Sequence, residues 1–298
     1  MDANRVLQFF DEHRRCGEPL VLATVIETRG STYSKTGEHM LIDADGHFRG
    51  MLSGGCLEGD LAMRARVVIE SGEPQTVRYN LADGDDEVWG LGIGCDGEME
   101  VLLQLLDDDY EPFTGIASIL QGEDAGIVAL DIGDGETLEF LVSPPPSVLI
   151  LGAGLDAEPL VRIASELGWR CTVVDHRPAY VKHGDFRSAL QKYCIPAEEL
   201  AGQLDLARYD MAVVMSHNLA SDRSYLRQLA ASEIGYVGLL GPGNRRERLL
   251  QELEHGADGL RQRLHGPAGL RIGGRGASSI ALAIVAEMHA HYYGVSLS

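Results

Sequence analysis

Three consecutive prolines, Pro144-Pro145-Pro146, divide this chain, and the stretch after them admits few folds. Proline fixes φ and keeps such a run extended and stiff, as a linker rather than part of a core. A short apolar run comes next at 148–151 and ends in Gly152-Ala-Gly-Leu-Asp-Ala157. A helical pattern covers 158–167, and a second apolar run at 171–174 ends at Asp175. Strand, glycine turn, helix and strand in about 30 residues form a βαβ unit. In that unit Gly152 makes the tight turn, Gly154 lets the backbone approach a pyrophosphate, and Ala157 takes the third small position. Asp175 stands where an acid would accept a ribose hydroxyl. The alternative for both glycines is close strand–helix packing alone.

The alternation continues to the end of the sequence. An apolar run at 211–215 leads into Ser216-His217-Asn218, a helix covers 222–231, and a run at 236–240 leads into Gly241-Pro-Gly-Asn-Arg-Arg246. A glycine-rich stretch at 270–279 feeds a long helix through 292, whose apolar positions Ile280, Ile284, Val285 and Met288 read as core. The pattern predicts a Rossmann-like, doubly wound parallel sheet over 148–298. Ligands of such sheets bind outside the carboxyl ends of the strands. The loops at 152–157, 175–178, 216–218 and 241–246 therefore converge on one crevice. His217 either serves that crevice or simply caps a helix or sits in solvent.

Residues 1–142 read as a separate, mixed α+β domain. Val6, Phe9, Phe10 and His13 fall at helical spacing. Strands are expected at 20–28, 39–43, 77–80 and 99–105, with a hairpin signal at Asp45-Gly46 and a strand-rich stretch at 127–142. The most chemical segment is Gly50-Met-Leu-Ser-Gly-Gly-Cys-Leu-Glu-Gly-Asp60. It puts Cys56 directly after Gly54 and Gly55 and ahead of a helix at 61–70. The positive end of a helix favours thiolate, the form that attacks sulfur or carbon and binds soft metals. Glycines let backbone N–H groups approach an anion. Glu58 would repel a thiolate and suits a proton or hydrogen-bond partner better. The alternative for Cys56 is a small core side chain. Cys95 shares the glycine setting, at 90–97, but a strand comes after it.

Composition narrows the chemistry. There are 25 Lys and Arg against 45 Asp and Glu, a net charge of −20, which argues against nucleic acid and anionic membranes as partners. No apolar run approaches the roughly 20 residues of a membrane span, and the first ten residues lack signal-peptide character. The five cysteines form no C-x-x-C pair, which disfavours structural zinc and disulfides and points to the cytoplasm. Arg29, Lys35 and Arg49 flank the first set of glycine turns; Arg177, Arg245, Arg246, Arg271 and Arg275 flank the second. Cations gathered there suggest an anionic ligand such as a phosphate. P-loop, H-E-x-x-H and G-x-S-x-G patterns are absent. A carrier role therefore competes with turnover. The alternative, an NAD(P)-dependent oxidoreductase, would use Gly152, Gly154, Ala157 and Asp175, with His217 as proton donor.

Taken together, Arg29-Gly-Ser31, Gly37-x-x-Met40, Ser53-Gly-Gly-Cys-Leu-Glu58, Gly92-x-Gly-Cys95, Gly152-Ala-Gly154, Asp175-x-Arg-Pro178, Ser216-His217, Gly238-Leu-Leu-Gly241 and Pro267-x-Gly-Leu-x-Ile-Gly273 resemble the XdhC/CoxI family. These are accessory proteins of xanthine dehydrogenase and related molybdenum hydroxylases. The resemblance implies a chaperone that binds the molybdenum cofactor (molybdopterin, with or without an attached nucleotide). Such a protein protects the cofactor while a cysteine desulfurase supplies its terminal sulfur, then inserts it into the hydroxylase apo-enzyme. It also implies a homodimer. On that reading Cys56 is the thiolate that handles molybdenum or sulfur, and Ser31, Gly54, Gly55 and Cys95 belong to the cofactor site. Gly152, Gly154, Ala157, Asp175, Arg177, His217 and Gly241 would hold its nucleotide or phosphate end. The sequence departs from the family pattern at Leu155, where histidine is usual, at Asp96, and at Gly276-Ala-Ser-Ser279, which replaces Thr-Pro-Glu-Glu.

Overall fold

A computed structural model describes residues 3–80, 97–133, 135–253 and 258–295. The chain forms two units, Met1–Pro144 and Pro145–Ser298.

The first unit is built on an antiparallel sheet. Its elements are α1 (Ala3–Cys16), β1 (Leu20–Gly30), β2 (His39–Asp43), β3 (Phe48–Arg49), α2 (Glu58–Ser71), β4 (Gln75–Asn80), β5 (Gly97–Leu105), α3 (Phe113–Gln121), β6 (Gly126–Gly133) and β7 (Glu136–Val142). The five-stranded order is β3-β2-β1-β5-β4, and β6 and β7 pair as a separate hairpin. Strand β1 is buried on both faces, so its apolar residues run continuously instead of alternating. Leu20 and Leu22 pack with Phe10 of α1 and Phe113 and Ile116 of α3. Val21, Ala23 and Val25 pack with Leu61, Ala65 and Val68 of α2. The Asp45-Gly46 turn joins β2 to β3, with Gly46 at φ 86.

The second unit comprises β8 (Ser147–Leu151), α4 (Ala157–Glu166), β9 (Arg170–Asp175), α5 (Pro178–His183), β10 (Gln191–Cys194), α6 (Leu200–Gln203), β11 (Met211–Val214), α7 (Leu219–Ala230), β12 (Tyr236–Leu239), α8 (Gly243–Glu252), α9 (Asp258–Arg261), β13 (Leu264–His265) and α10 (Ala277–Tyr292). Its strands are all parallel, in the order β10-β9-β8-β11-β12-β13. This is the doubly wound dinucleotide-fold order, which reverses direction between β8 and β11. Both faces are covered. Leu149 and Leu151 point to Tyr225 and Leu226 of α7 and Leu249 of α8; Val148 and Ile150 point to Leu160 of α4 and Ile284 of α10. Where the prolines end, Ser147 fastens the start of β8: its N–H and hydroxyl both donate to Asp210 at 2.7 Å.

Several details differ from expectation. Ile280 is 39% exposed rather than core, because α10 turns that position outward while Ala281 and Ile284 face the sheet. Asn244, Arg245 and Arg246 belong to the first turn of α8 rather than to a loop. Helix α2 starts at Glu58, earlier than 61. Helix α3 has no counterpart among the elements that the sequence predicts.

Candidate functional site

The Cys56 turn is held by one side chain. Glu58 is buried, and its carboxylate bends back over the residues before it. Oε1 accepts the N–H groups of Leu52 (2.9 Å) and Ser53 (2.8 Å); Oε2 accepts the Ser53 hydroxyl (2.5 Å) and the Gly55 N–H (2.9 Å). The Ser53 hydroxyl in turn accepts the Leu57 N–H at 2.7 Å. Burial alone would push the Glu58 pKa up, but the hydroxyl and N–H donors outweigh it and hold the carboxyl below its usual value. Glu58 is thus an ionised brace with its acceptor sites filled. Of the two roles expected for it, proton partner or hydrogen-bond partner, these contacts are those of a hydrogen-bond partner, to the turn and not to the thiol. They also show which anion the turn's N–H groups serve: the chain's own carboxylate.

The turn needs glycine where it bends. Gly54 and Gly55 have φ of 77 and 110, which L side chains rarely adopt. Cys56 is partly exposed and its inner side packs against the core under α2. Gly54 and Gly55 are exposed beside it. The loop that carries Ser31 lies against this turn: the Ser34 hydroxyl reaches the Met51 carbonyl, and a Cβ on Gly54 would meet the Tyr33 ring at 3.6 Å. Ser31 is exposed, with its carbonyl packed closely on Gly97. A cleft of about 550 Å³ opens nearby, lined among others by Arg5, Tyr33, Arg49 and Met51. Cys95, with most of the second glycine turn, lies outside the described residues.

In the second unit the expected loops do sit at the strand ends, but their polar groups are already matched. Gly152 (φ 126) and Gly241 (φ 133) are forced to be glycine: a Cβ on Gly152 would sit 2.5 Å from the Met215 carbonyl oxygen, and one on Gly241 would sit 2.7 Å from Arg245. Ala157 is fully buried as the first residue of α4, in the packing role. Asp175 is also fully buried. It accepts the Ala153 N–H at 2.7 Å, and the Arg177 guanidinium grips it at 2.9 and 2.8 Å. Burial would raise its pKa; Arg177 and the Ala153 N–H reverse this and hold it low. The expectation that Asp175 accepts a ribose hydroxyl is therefore not met, because both oxygens bind the protein itself. Arg177 also lies 3.7 Å over the Tyr180 ring.

His217 is exposed, with its backbone in the left-handed region at φ 58. Its Nε2 hydrogen-bonds the Asp156 carboxylate at 2.8 Å. Asp222, unremarkable in the sequence, is fully buried and receives both the Ser216 hydroxyl and the Arg245 guanidinium. Arg246 pairs with Glu247 and Arg29 with Glu27. Four of the eight cations expected to await an anion, Arg29, Arg177, Arg245 and Arg246, are thus engaged by neighbouring acids. Among the described residues, no group of three or more His, Cys, Asp or Glu is placed to hold a metal ion, and no helix is long and apolar enough to cross a membrane.

Residues 148–288 match the XdhC Rossmann domain and residues 13–80 match the XdhC and CoxI family. The chain belongs to the XdhC and CoxI family. As an XdhC-family member it is similar over most of its length to proteins from two bacteria. It is 29% identical to a probable xanthine dehydrogenase subunit of Bacillus subtilis (strain 168), over 91% of this chain and 92% of that protein. It is 24% identical to the molybdenum cofactor insertion chaperone PaoD of Escherichia coli (strain K12), over 96% of this chain and 88% of that one. A crystal structure of a xanthine dehydrogenase from Bacillus halodurans matches with a TM-score of 0.82 and 29% identity, covering 97% of this chain and 96% of that chain.

Proposed function

We propose that this XdhC-family protein is an accessory factor of a molybdenum hydroxylase that carries the molybdenum cofactor to the apo-enzyme, with the Cys56 turn as its contact for the cofactor's sulfur- and metal-bearing end. The single observation that carries this reading is the turn itself. A partly exposed thiol is presented by two exposed glycines on a loop braced from beneath by Glu58. Such a loop keeps its shape without a ligand, so little ordering entropy opposes binding. The absence of side chains at positions 54 and 55 leaves room for a bulky dithiolene beside the sulfur. The neighbouring cleft, with Arg5, Arg49 and Tyr33, has a size suited to a small molecule and cations suited to a phosphate. The name of the Escherichia coli relative supports the cargo, and that of the Bacillus subtilis relative supports the client. Protection of the cofactor during sulfuration, exchange with a cysteine desulfurase, and a homodimeric state are finer parts of the same proposal.

The test is anaerobic purification from a host that makes the cofactor, followed by molybdenum analysis and pterin fluorescence. The wild type retains both metal and pterin. Cys56→Ala retains less molybdenum; unchanged content in that variant removes Cys56 from the role.

A further inference from the structure

The fingerprint loop does not fit the dinucleotide that its glycines suggest, and the misfit begins at its second glycine. In such loops the second glycine leaves its Cβ position empty so that a pyrophosphate can come close. Here that position belongs to Gly154, and it is filled. A Cβ there would lie 2.7 Å from Asp156 Oδ1 and 3.5 Å from the His217 ring. Asp156 is the residue just ahead of α4, a ten-residue helix, where the helix field favours negative charge. Yet its side chain accepts no N–H group of that helix, so capping does not explain its position. Instead the carboxylate folds back over Gly154, and His217 closes over it from the end of β11, across the point where the strand order reverses. The Asp156 side chain is only 16% exposed beneath His217.

We propose that Asp156 is a specificity-determining residue: its carboxylate fills the pyrophosphate seat of the loop, clasped there by His217, and bars dinucleotides from the crevice. The same field that would draw a phosphate holds the acid in place. A pyrophosphate would meet both its bulk and its charge. The ribose end is closed as well, since Asp175 is bound by Arg177 and the Ala153 N–H. Nothing in this depends on what Cys56 carries, so the two readings fail separately.

The experiment is calorimetric titration of the full chain with NAD+, ADP and adenosine, in wild type, Asp156→Ala, Asp156→Asn and His217→Ala. The wild type gives no saturable binding of NAD+ or ADP at millimolar ligand. Asp156→Ala tightens both by at least about tenfold, a change of ~1.4 kcal/mol. Asp156→Asn, which loses the charge but keeps the bulk, gains less. His217→Ala, which releases the clasp but keeps the acid, gains less than Asp156→Ala. Adenosine, which has no phosphate, gains nothing in any variant. Micromolar binding of NAD+ by the wild type overturns the assignment. So does a folded Asp156→Ala chain that binds no tighter than wild type, or an equal gain for adenosine. Should Asp156→Ala fail to fold, Asp156→Asn decides: no gain there overturns it too.

Discussion

Removing the Glu58 carboxylate tests whether the Cys56 turn is braced as described. In Glu58→Ala the N–H groups of Leu52, Ser53 and Gly55 and the Ser53 hydroxyl all lose their acceptor. Gly55 is exposed and finds water, while Leu52 is fully buried and Ser53 half-buried. An unsatisfied buried donor costs ~1–3 kcal/mol, so those two N–H groups together amount to about 3 kcal/mol. For a unit of this size that lowers Tm by about 6–12 °C. Because the chain has two units, the local readouts matter more than the global melt. Hydrogen exchange followed at Leu52, Ser53 and Gly55 should lose its protection while the amides of β1 keep theirs. Alkylation of Cys56, read by mass spectrometry so that the exposed Cys16 and Cys194 do not interfere, should accelerate. A Glu58→Ala chain that melts within about 2 °C of wild type, with those three amides still protected, refutes the brace.

Further outcomes rest on other parts of the structure. The depressed pKa values of Glu58 and Asp175 contribute stability that is fully present above the ordinary carboxylate range and lost as pH falls through the folded values, so urea midpoints should drop below about pH 4 and Glu58→Gln should blunt that drop. Gly152→Ala places a methyl group against the Met215 carbonyl at a left-handed φ and should cost at least about 2 kcal/mol by denaturant titration; an unshifted midpoint would contradict the close packing there. Ile284→Ala should cost ~2–5 kcal/mol, whereas Ile280→Ser should stay within about 0.5 kcal/mol, the contrast checking which side of α10 faces the sheet. Tyr236→Phe removes the 2.6 Å donation to Glu287 and should cost about 1–2 kcal/mol by the same titration.

The alternation of strand and helix in the second unit was legible because its determinants are local: apolar runs, glycine turns and helical periods each lie within a few residues. Helix α3 was within reach by the same means. Phe113, Ile116, Ala117 and Leu120 repeat at helical spacing, but Gly115 and the preceding Pro112 disguise it. Helix α8 hid for a related reason: Gly241-Pro242-Gly243 punctuates like a loop, though Pro242 in fact stands just ahead of the helix. The site was less legible because its pairings are distant. Asp156 and His217 are 61 positions apart, and Asp222 and Arg245 are 23 apart. Composition shows an acid and a base near glycines; only the fold shows that they pair with each other. Glu58 stands out in the sequence for its place on the helix, whereas its carboxylate serves the turn before it.

The Ser147–Asp210 pairing has a practical corollary. It knots the first strand of the C-terminal half to its own sheet within a residue of the last proline. A fragment that starts at Pro145 should therefore express, refold and melt as an autonomous module, and Asp210→Ala should loosen its leading edge before any other part.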